Sequence, residues 1–391
     1  MKILYHHRTQ GTRVEGVHIR EIVKALEIQG HEVIVVSPPG IDPLMDNVKT
    51  TSDKPLVSRI LSFLSSHAPQ IFFEFMEIFY NFAAYRNISA VLKGEKIDMI
   101  YERYAFFGIA GVLASRKYKV PLILEVNEVS DIERQRGQVL KSLTKKFEKY
   151  IFTKAQGIIT VSSWLKKTIS GMGIDHDRIR MVPNAVDLKS FDPQISGADV
   201  REKYGLNDSI VLGFVGSFST WDRLDFLIDV FADMLKTSNN LKLMLIGDGY
   251  NKDSLIQYAL KKGLNDTVVF TGRVLRRDIA AYLAAVDIFV IPHSNPFGSP
   301  VVMFEYMAMA KPVAGPSLMP VLDVIEDKVN GLIFETGNKE SLIAALSLFI
   351  NDKQLRENIG NTARKSVEEK HTWGGNAGVI IDLVKRSQQS L

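Results

Sequence analysis

The chain has 391 residues, 46% of them hydrophobic and 24% charged, with a formal charge of +4 and no cysteine. Its length is more than one ordinary core serves, which makes two domains the expectation, and its composition excludes disordered and fibrous classes. The missing cysteine excludes disulfide scaffolds, thiolate metal sites and a cysteine nucleophile. So small a charge suits an anionic small ligand or anionic lipid and falls short of a nucleic-acid-binding footprint.

The first stretch, MKILYHHRTQ, is a short apolar strand followed by polar residues, without the long apolar segment of a secretory signal, so the cytoplasm is the expected compartment. Short apolar runs then alternate with helical patterns, the signature of βαβ units. KILY (2–5), EVIVVS (32–37), DMIY (98–101), PLILEV (121–126), GIITVS (157–162) and IRMVP (179–183) are predicted strands of a first sheet. GVHIREIVKALEIQGHEV carries a helix that Gly30 closes before the second strand. The run IFFEFMEIFYNFAA (71–84) is too short and too acidic to span a bilayer, which needs about 18 apolar residues. Two readings fit it: an aromatic helix packed in a core, or an amphipathic surface touching lipid or a lipid-linked substrate at the inner membrane face. Asp175-His176-Asp177 resembles a metal-binding DxD string but stands in a connecting loop before a strand and is read as solvated. His18 and His31 read as packed or capping residues, and no two histidines have metal spacing, so no metal site is expected.

After the connector PNAVDLKSFDPQISGADV a second series begins. Its predicted strands are IVLGFVG (210–216), LKLMLIG (241–247), TVVFTG (267–272), DIFVIP (287–292), KPVAGP (311–316) and GLIFE (331–335), with helices such as Arg223 to Lys236 between them. One architecture used twice implies an α/β protein of two doubly wound, Rossmann-like domains facing across a cleft. The expected division is 1–195 and 196–370, with a last helix, about Gly375 to Ser387 within 371–391, crossing back to the first domain. In such sheets ligands sit outside the carboxyl ends of the strands, so functional residues belong in the loops after them.

The segment SNPFGSPVVMFEYMAMAKPVAG (294–315) meets that condition. Pro296, Gly298 and Pro300 make a stiff loop, and a helix from about Ser299 to Ala310 presents its free N–H groups to the cleft, ready for phosphate or sugar hydroxyls. Its other residues leave no polar face, so Glu305 needs a partner: two ribose hydroxyls, or a nearby Arg or Lys of the same domain.

This segment resembles the signature of the retaining glycosyltransferases of GT-B fold, in particular family four. IYERY (100–104), LILEVN (122–127), ITVSSWLKK (159–167), MVPNAVDLKSF (181–191), LGFVGSFSTWDRLDFLI (212–228), LMLIGDGY (243–250), VVFTGRV (268–274) and HTWGGNAG (371–378) follow the same pattern in order. The resemblance implies transfer of a sugar, with retention, from a nucleotide diphospho-sugar (UDP or GDP foremost) to a glycan, lipid-linked or small-molecule acceptor, with no obligatory metal or other cofactor. It implies that Glu305 binds the ribose and that the stretch from Phe297 through Gly298 and Ser299 to Pro300 holds the donor sugar and phosphate. Arg273 and Val274 would lie beside the base, and Gly16, Gly216, Ser217 and His293 would border the diphosphate.

The chain departs from the family at several of these places. Asn295 stands where the family commonly has an acid, and Ser217 and Asp222 stand where it offers an Arg and a Lys to the diphosphate. Arg223, Arg273, Arg277 and His293 are the nearest candidates to replace them, with Arg223 the best placed. Asn127 and Glu128 follow the strand after which the family often has a histidine, and Arg8, Arg13 and Arg103 are the acceptor-side candidates. Because of the missing cations, a non-catalytic nucleotide- or glycan-binding GT-B partner, or a nucleotide-sugar epimerase or hydrolase, remains the competing reading.

Overall fold

The structure, a computed structural model, describes residues 1–9, 14–38, 41, 43–44, 70–130, 132, 138–238 and 240–389. Each predicted strand is present: β1 Lys2–His6, β2 Glu32–Val36, β3 Met99–Arg103, β4 Leu122–Val126, β5 Gly157–Thr160, β6 Ile179–Met181, β7 Ile210–Gly216, β8 Leu241–Gly247, β9 Val268–Gly272, β10 Ile288–Val290, β11 Val313–Pro316 and β12 Leu332–Phe334. They form two six-stranded parallel sheets, ordered β2-β1-β3-β4-β5-β6 and β12-β11-β10-β7-β8-β9. In both, the direction of winding reverses beside the first strand, giving switch points at β1/β3 and β7/β10.

The strands read as continuous apolar runs because both sheet faces are covered. In the second sheet Val211, Met244, Ile246 and Phe289 join one core layer with Met303, Phe304 and Met307 of the Val301–Ala308 helix. Their neighbours Leu212, Leu243, Leu245 and Ile288 join the opposite layer with Leu227 and Phe231. That is the two-residue period of a strand, with each fully buried Phe or Leu contributing about 1.5–3 kcal/mol.

The chain divides into two compact units, Met1–Val182 with Gly374–Leu391, and Pro183–Trp373. The Trp373–Gln389 helix lies with the first unit, where Leu383 fills the space over Gly157 of β5 and Gly374 accepts a hydrogen bond from Gln29. Two helices are shorter than expected. The one over Arg223 to Lys236 runs Leu224–Met234, because Ser219 and Asp222 form a reciprocal cap around a short Thr220–Asp222 turn and Arg223 then adopts a left-handed φ of 48°. The one in the 294–315 segment runs Val301–Ala308, bounded by extended Pro300 and by Ala310 at φ 54°. Asp175 caps a short turn through a hydrogen bond from the Asp177 amide, the ordinary work of a loop aspartate.

Candidate functional site

At the β7/β10 switch point, one loop follows each strand. Gly216 and Gly247, at the ends of β7 and β8, touch backbone to backbone: a Cβ on Gly247 would lie 2.0 Å from the Gly216 oxygen, and Gly247 has φ +136°. Ser217 follows, its hydroxyl 3.0 Å from that of Ser219. The Ser219 amide donates to Asp222 Oδ2 at 2.7 Å, and burial raises the Asp222 carboxyl to about 6 even though that hydrogen bond favours the ionised form. Arg223 is half in water, its Nε 3.3 Å from Asp225. His293, the first residue after the β10 run, places Nδ1 3.0 Å from the Trp221 carbonyl and so joins the two loops.

The SNPFGSP loop is held from inside. Asn295 Oδ1 accepts from the amides of Phe297 (3.3 Å) and Gly298 (2.5 Å), an Asx turn that occupies donors assigned above to the donor sugar. Ser299 is buried, its hydroxyl accepting from the Asn184 amide at 3.0 Å and its carbonyl from Asn184 Nδ2 at 2.6 Å. Pro300 then stands at the N-cap of the Val301–Ala308 helix, whose first turn is a source of N–H groups at this edge. Tyr306 fixes the helix to the sheet, stacked on Phe289 at 3.7 Å and accepting from the Val215 amide at 2.8 Å.

Glu305 is 2% exposed and has a cationic partner: Arg276 Nη1 donates to Oε1 at 2.5 Å. Burial pushes the Glu305 carboxyl up, and Arg276 pulls against that shift. Arg276 also lies over the Phe191 ring, 4.8 Å from its centroid. Among the described residues no hydrogen bond reaches Oε2. Arg276 was not among the arginines singled out from the sequence, although it adjoins Arg277; the signal was its place in the loop after β9. Arg273 is exposed in that loop, and Val274 packs against the core below it.

In the first unit Arg103 and Asn127 converge on Glu125, and Arg8 is engaged elsewhere. Arg103 donates to Glu125 Oε1 at 2.5 Å, Asn127 Nδ2 donates to the same oxygen at 2.6 Å, and Tyr101 donates to Oε2 at 2.9 Å. Burial raises the Glu125 carboxyl, but the charges of His18 and Arg103 and the Asn127 and Tyr101 donors outweigh it and leave the group below its ordinary value, while burial lowers His18 to about 4. Arg103 therefore sits inside a buried polar cluster, 13% accessible. Arg8 donates to the Phe106 carbonyl at 3.0 Å and to Glu77 at 2.9 Å. Glu128 is half-buried beside Asn127, and Gly16 is buried in the first turn of the Val14–Ile28 helix. Arg13 lies outside the described residues.

Known proteins resemble this chain in sequence and in fold. Residues 16–190 match Glycosyltransferase Family 4 and residues 198–366 match Glycosyl transferases group 1. Over 240 residues, 60% of this chain, the chain is 28% identical to an uncharacterized glycosyltransferase of Methanocaldococcus jannaschii, a match that spans 61% of that relative's length. It is 25% identical over 347 residues, 85% of this chain and 75% of the other, to the alpha-monoglucosyldiacylglycerol synthase of Streptococcus pneumoniae. Its fold matches Anabaena HepE, solved in complex with UDP, with a TM-score of 0.73 and 17% identity over 100% of both chains. The chain therefore belongs to the group-1, family-four glycosyltransferases: it is a GT-B, retaining enzyme that uses a nucleotide-sugar donor.

Proposed function

We propose that the donor is a UDP-sugar, bound at the β7/β10 edge of the second unit, and that the acceptor is a lipid or lipid-linked sugar. The observation that carries the donor half is Glu305: a buried carboxylate with Oε1 held by Arg276 and Oε2 left to accept from ribose hydroxyls. Arg276 orients the carboxylate and opposes the upward shift that burial causes, and hydrogen bonds to the ionised group are charge-assisted, about 1.5–3 kcal/mol each. The base would rest on Val274 beside Arg273. The diphosphate would meet the first turn of the Val301–Ala308 helix, with Arg223 turning from Asp225 to neutralise the charge that develops as the glycosidic bond breaks. Asn127 and Glu128, in the loop after β4, would serve the acceptor hydroxyl. The likeness to a synthase of glucosylated diacylglycerol and to a UDP-bound structure supports both halves.

Calorimetric titration with UDP, GDP, ADP and TDP, followed by release of UDP from UDP-glucose and UDP-galactose with and without diacylglycerol or polyprenyl-phosphate acceptors, tests the reading. UDP binding in preference to the others, and turnover raised by a lipid acceptor, are the expected results. Tighter binding of GDP, or turnover raised only by water-soluble sugars, would overturn the donor or the acceptor assignment respectively.

A further inference from the structure

The Gln70–Gly94 helix carries the aromatic run 71–84 and leaves much of it in water: Phe79 is 65% exposed and Phe82 75%, with Phe72, Phe75 and Met76 each above 40%. These positions recur at helical spacing and make one stripe, the Phe79 and Phe82 rings stacked 6.5 Å apart. Exposed Arg86 and Lys93 continue the stripe toward the C-terminus. Both glutamates of the helix point elsewhere. Glu74 accepts from the amides of Val139 and Leu140, and Glu77 pairs with Arg8.

The neighbouring elements add positive charge. Right-handed crossovers from β2 to β3, β3 to β4 and β4 to β5 place the Gln70–Gly94, Ala110–Tyr118 and Lys141–Lys154 helices on one face of the first sheet. They touch in that order: Asn81 caps the second helix by accepting from the amides of Ile109 and Ala110, and Arg116 of the second helix donates to Tyr150 of the third. On the third helix Lys141, Lys145, Lys146 and Lys149 are exposed. Its one acid, Glu148, is buried and accepts from Tyr104 and from the amide and hydroxyl of Ser130.

We infer that this three-helix face is a docking surface for an anionic phospholipid bilayer, with the Phe72–Phe82 stripe entering the headgroup–acyl boundary and the lysine helix lying over the headgroups. An apolar stripe flanked by cations, with the three acids of the Gln70–Gly94 and Lys141–Lys154 helices each hydrogen-bonded or paired within the unit, matches a membrane surface and disfavours self-association. In an isologous dimer the same patch would meet itself and set lysines against lysines. No helix among the described residues is long and apolar enough to cross a membrane, so the contact is peripheral. The inference needs neither donor nor acceptor and stands apart from the transfer reading.

Co-sedimentation of the full chain with vesicles of phosphatidylcholine alone, or mixed with phosphatidylglycerol, tests it. The protein is expected to pellet with the mixed vesicles, less so as salt rises, and little with phosphatidylcholine. Phe79→Ser/Phe82→Ser and, independently, Lys146→Glu/Lys149→Glu should each lower the partition coefficient about tenfold or more while circular dichroism and Tm stay unchanged. Failure to pellet with the mixed vesicles overturns the inference, as does pelleting that neither variant reduces. So does a sedimentation-velocity dimer that Phe79→Ser/Phe82→Ser splits in a protein that ignores vesicles. Since no sugar nucleotide is present, none of these outcomes bears on UDP binding.

Discussion

Replacing Arg276 by alanine leaves the Glu305 carboxylate without a cation inside an apolar layer, whereas replacing Glu305 by glutamine leaves an arginine already half in water. The side chains are 49% and 3% accessible respectively, and the bond between them is 2.5 Å long. Stranding a buried charge costs about 3–5 kcal/mol; proton uptake by Glu305, whose carboxyl burial already raises, and the solvent around Arg276 reduce this to roughly 2–3 kcal/mol for Arg276→Ala. Glu305→Gln keeps the shape and one acceptor and should cost about 1 kcal/mol or less. Ligand affinity should show the opposite order. If Oε2 accepts from the ribose, turning two charge-assisted hydrogen bonds into neutral ones costs about 2 kcal/mol, or roughly a 30-fold rise in the Kd for UDP. Urea unfolding and isothermal titration of both single variants and the double variant measure these terms, and the double variant should recover most of the stability that Arg276→Ala loses. An unchanged UDP Kd in Glu305→Gln would refute the ribose role and leave the carboxylate as an anchor for Arg276. An Arg276→Ala protein as stable as wild type would refute the energetic argument itself.

Two further outcomes follow from the loops around the switch points. Burial raises the Asp222 carboxyl from 3.8 to about 6, so folding favours its protonated form; that contribution is full below the unfolded value and is lost as pH rises through the folded one. Asp222→Asn should therefore be more stable than wild type by about 1–3 kcal/mol near pH 8 and equal to it near pH 4, and a Tm difference that does not vary with pH would contradict this. Arg103→Leu removes the cation from the buried Glu125 cluster and should destabilise the protein by about 3–5 kcal/mol; if Arg103 served only to contact an acceptor, Tm would be unaffected and only KM would change.

What the sequence determined by itself is local and periodic. Each strand was visible as a short apolar run between turn residues, since burial on both faces leaves nothing polar to interrupt it. Gly30 and Pro300 marked helix ends because few other residues suit those backbone positions. The ordered family motifs were enough to name the enzyme class. Tertiary structure decided which groups meet. Glu305 finds Arg276 from 29 residues away, and Ser299 finds Asn184 from 115 away. Asn295 takes up two loop amides, Arg103 is drawn into the Glu125 cluster, and one side of the aromatic run 71–84 is left in water. A periodic pattern fixes which face of an element is buried, but the partner on the other side depends on strand order and loop path, which no local stretch of sequence encodes.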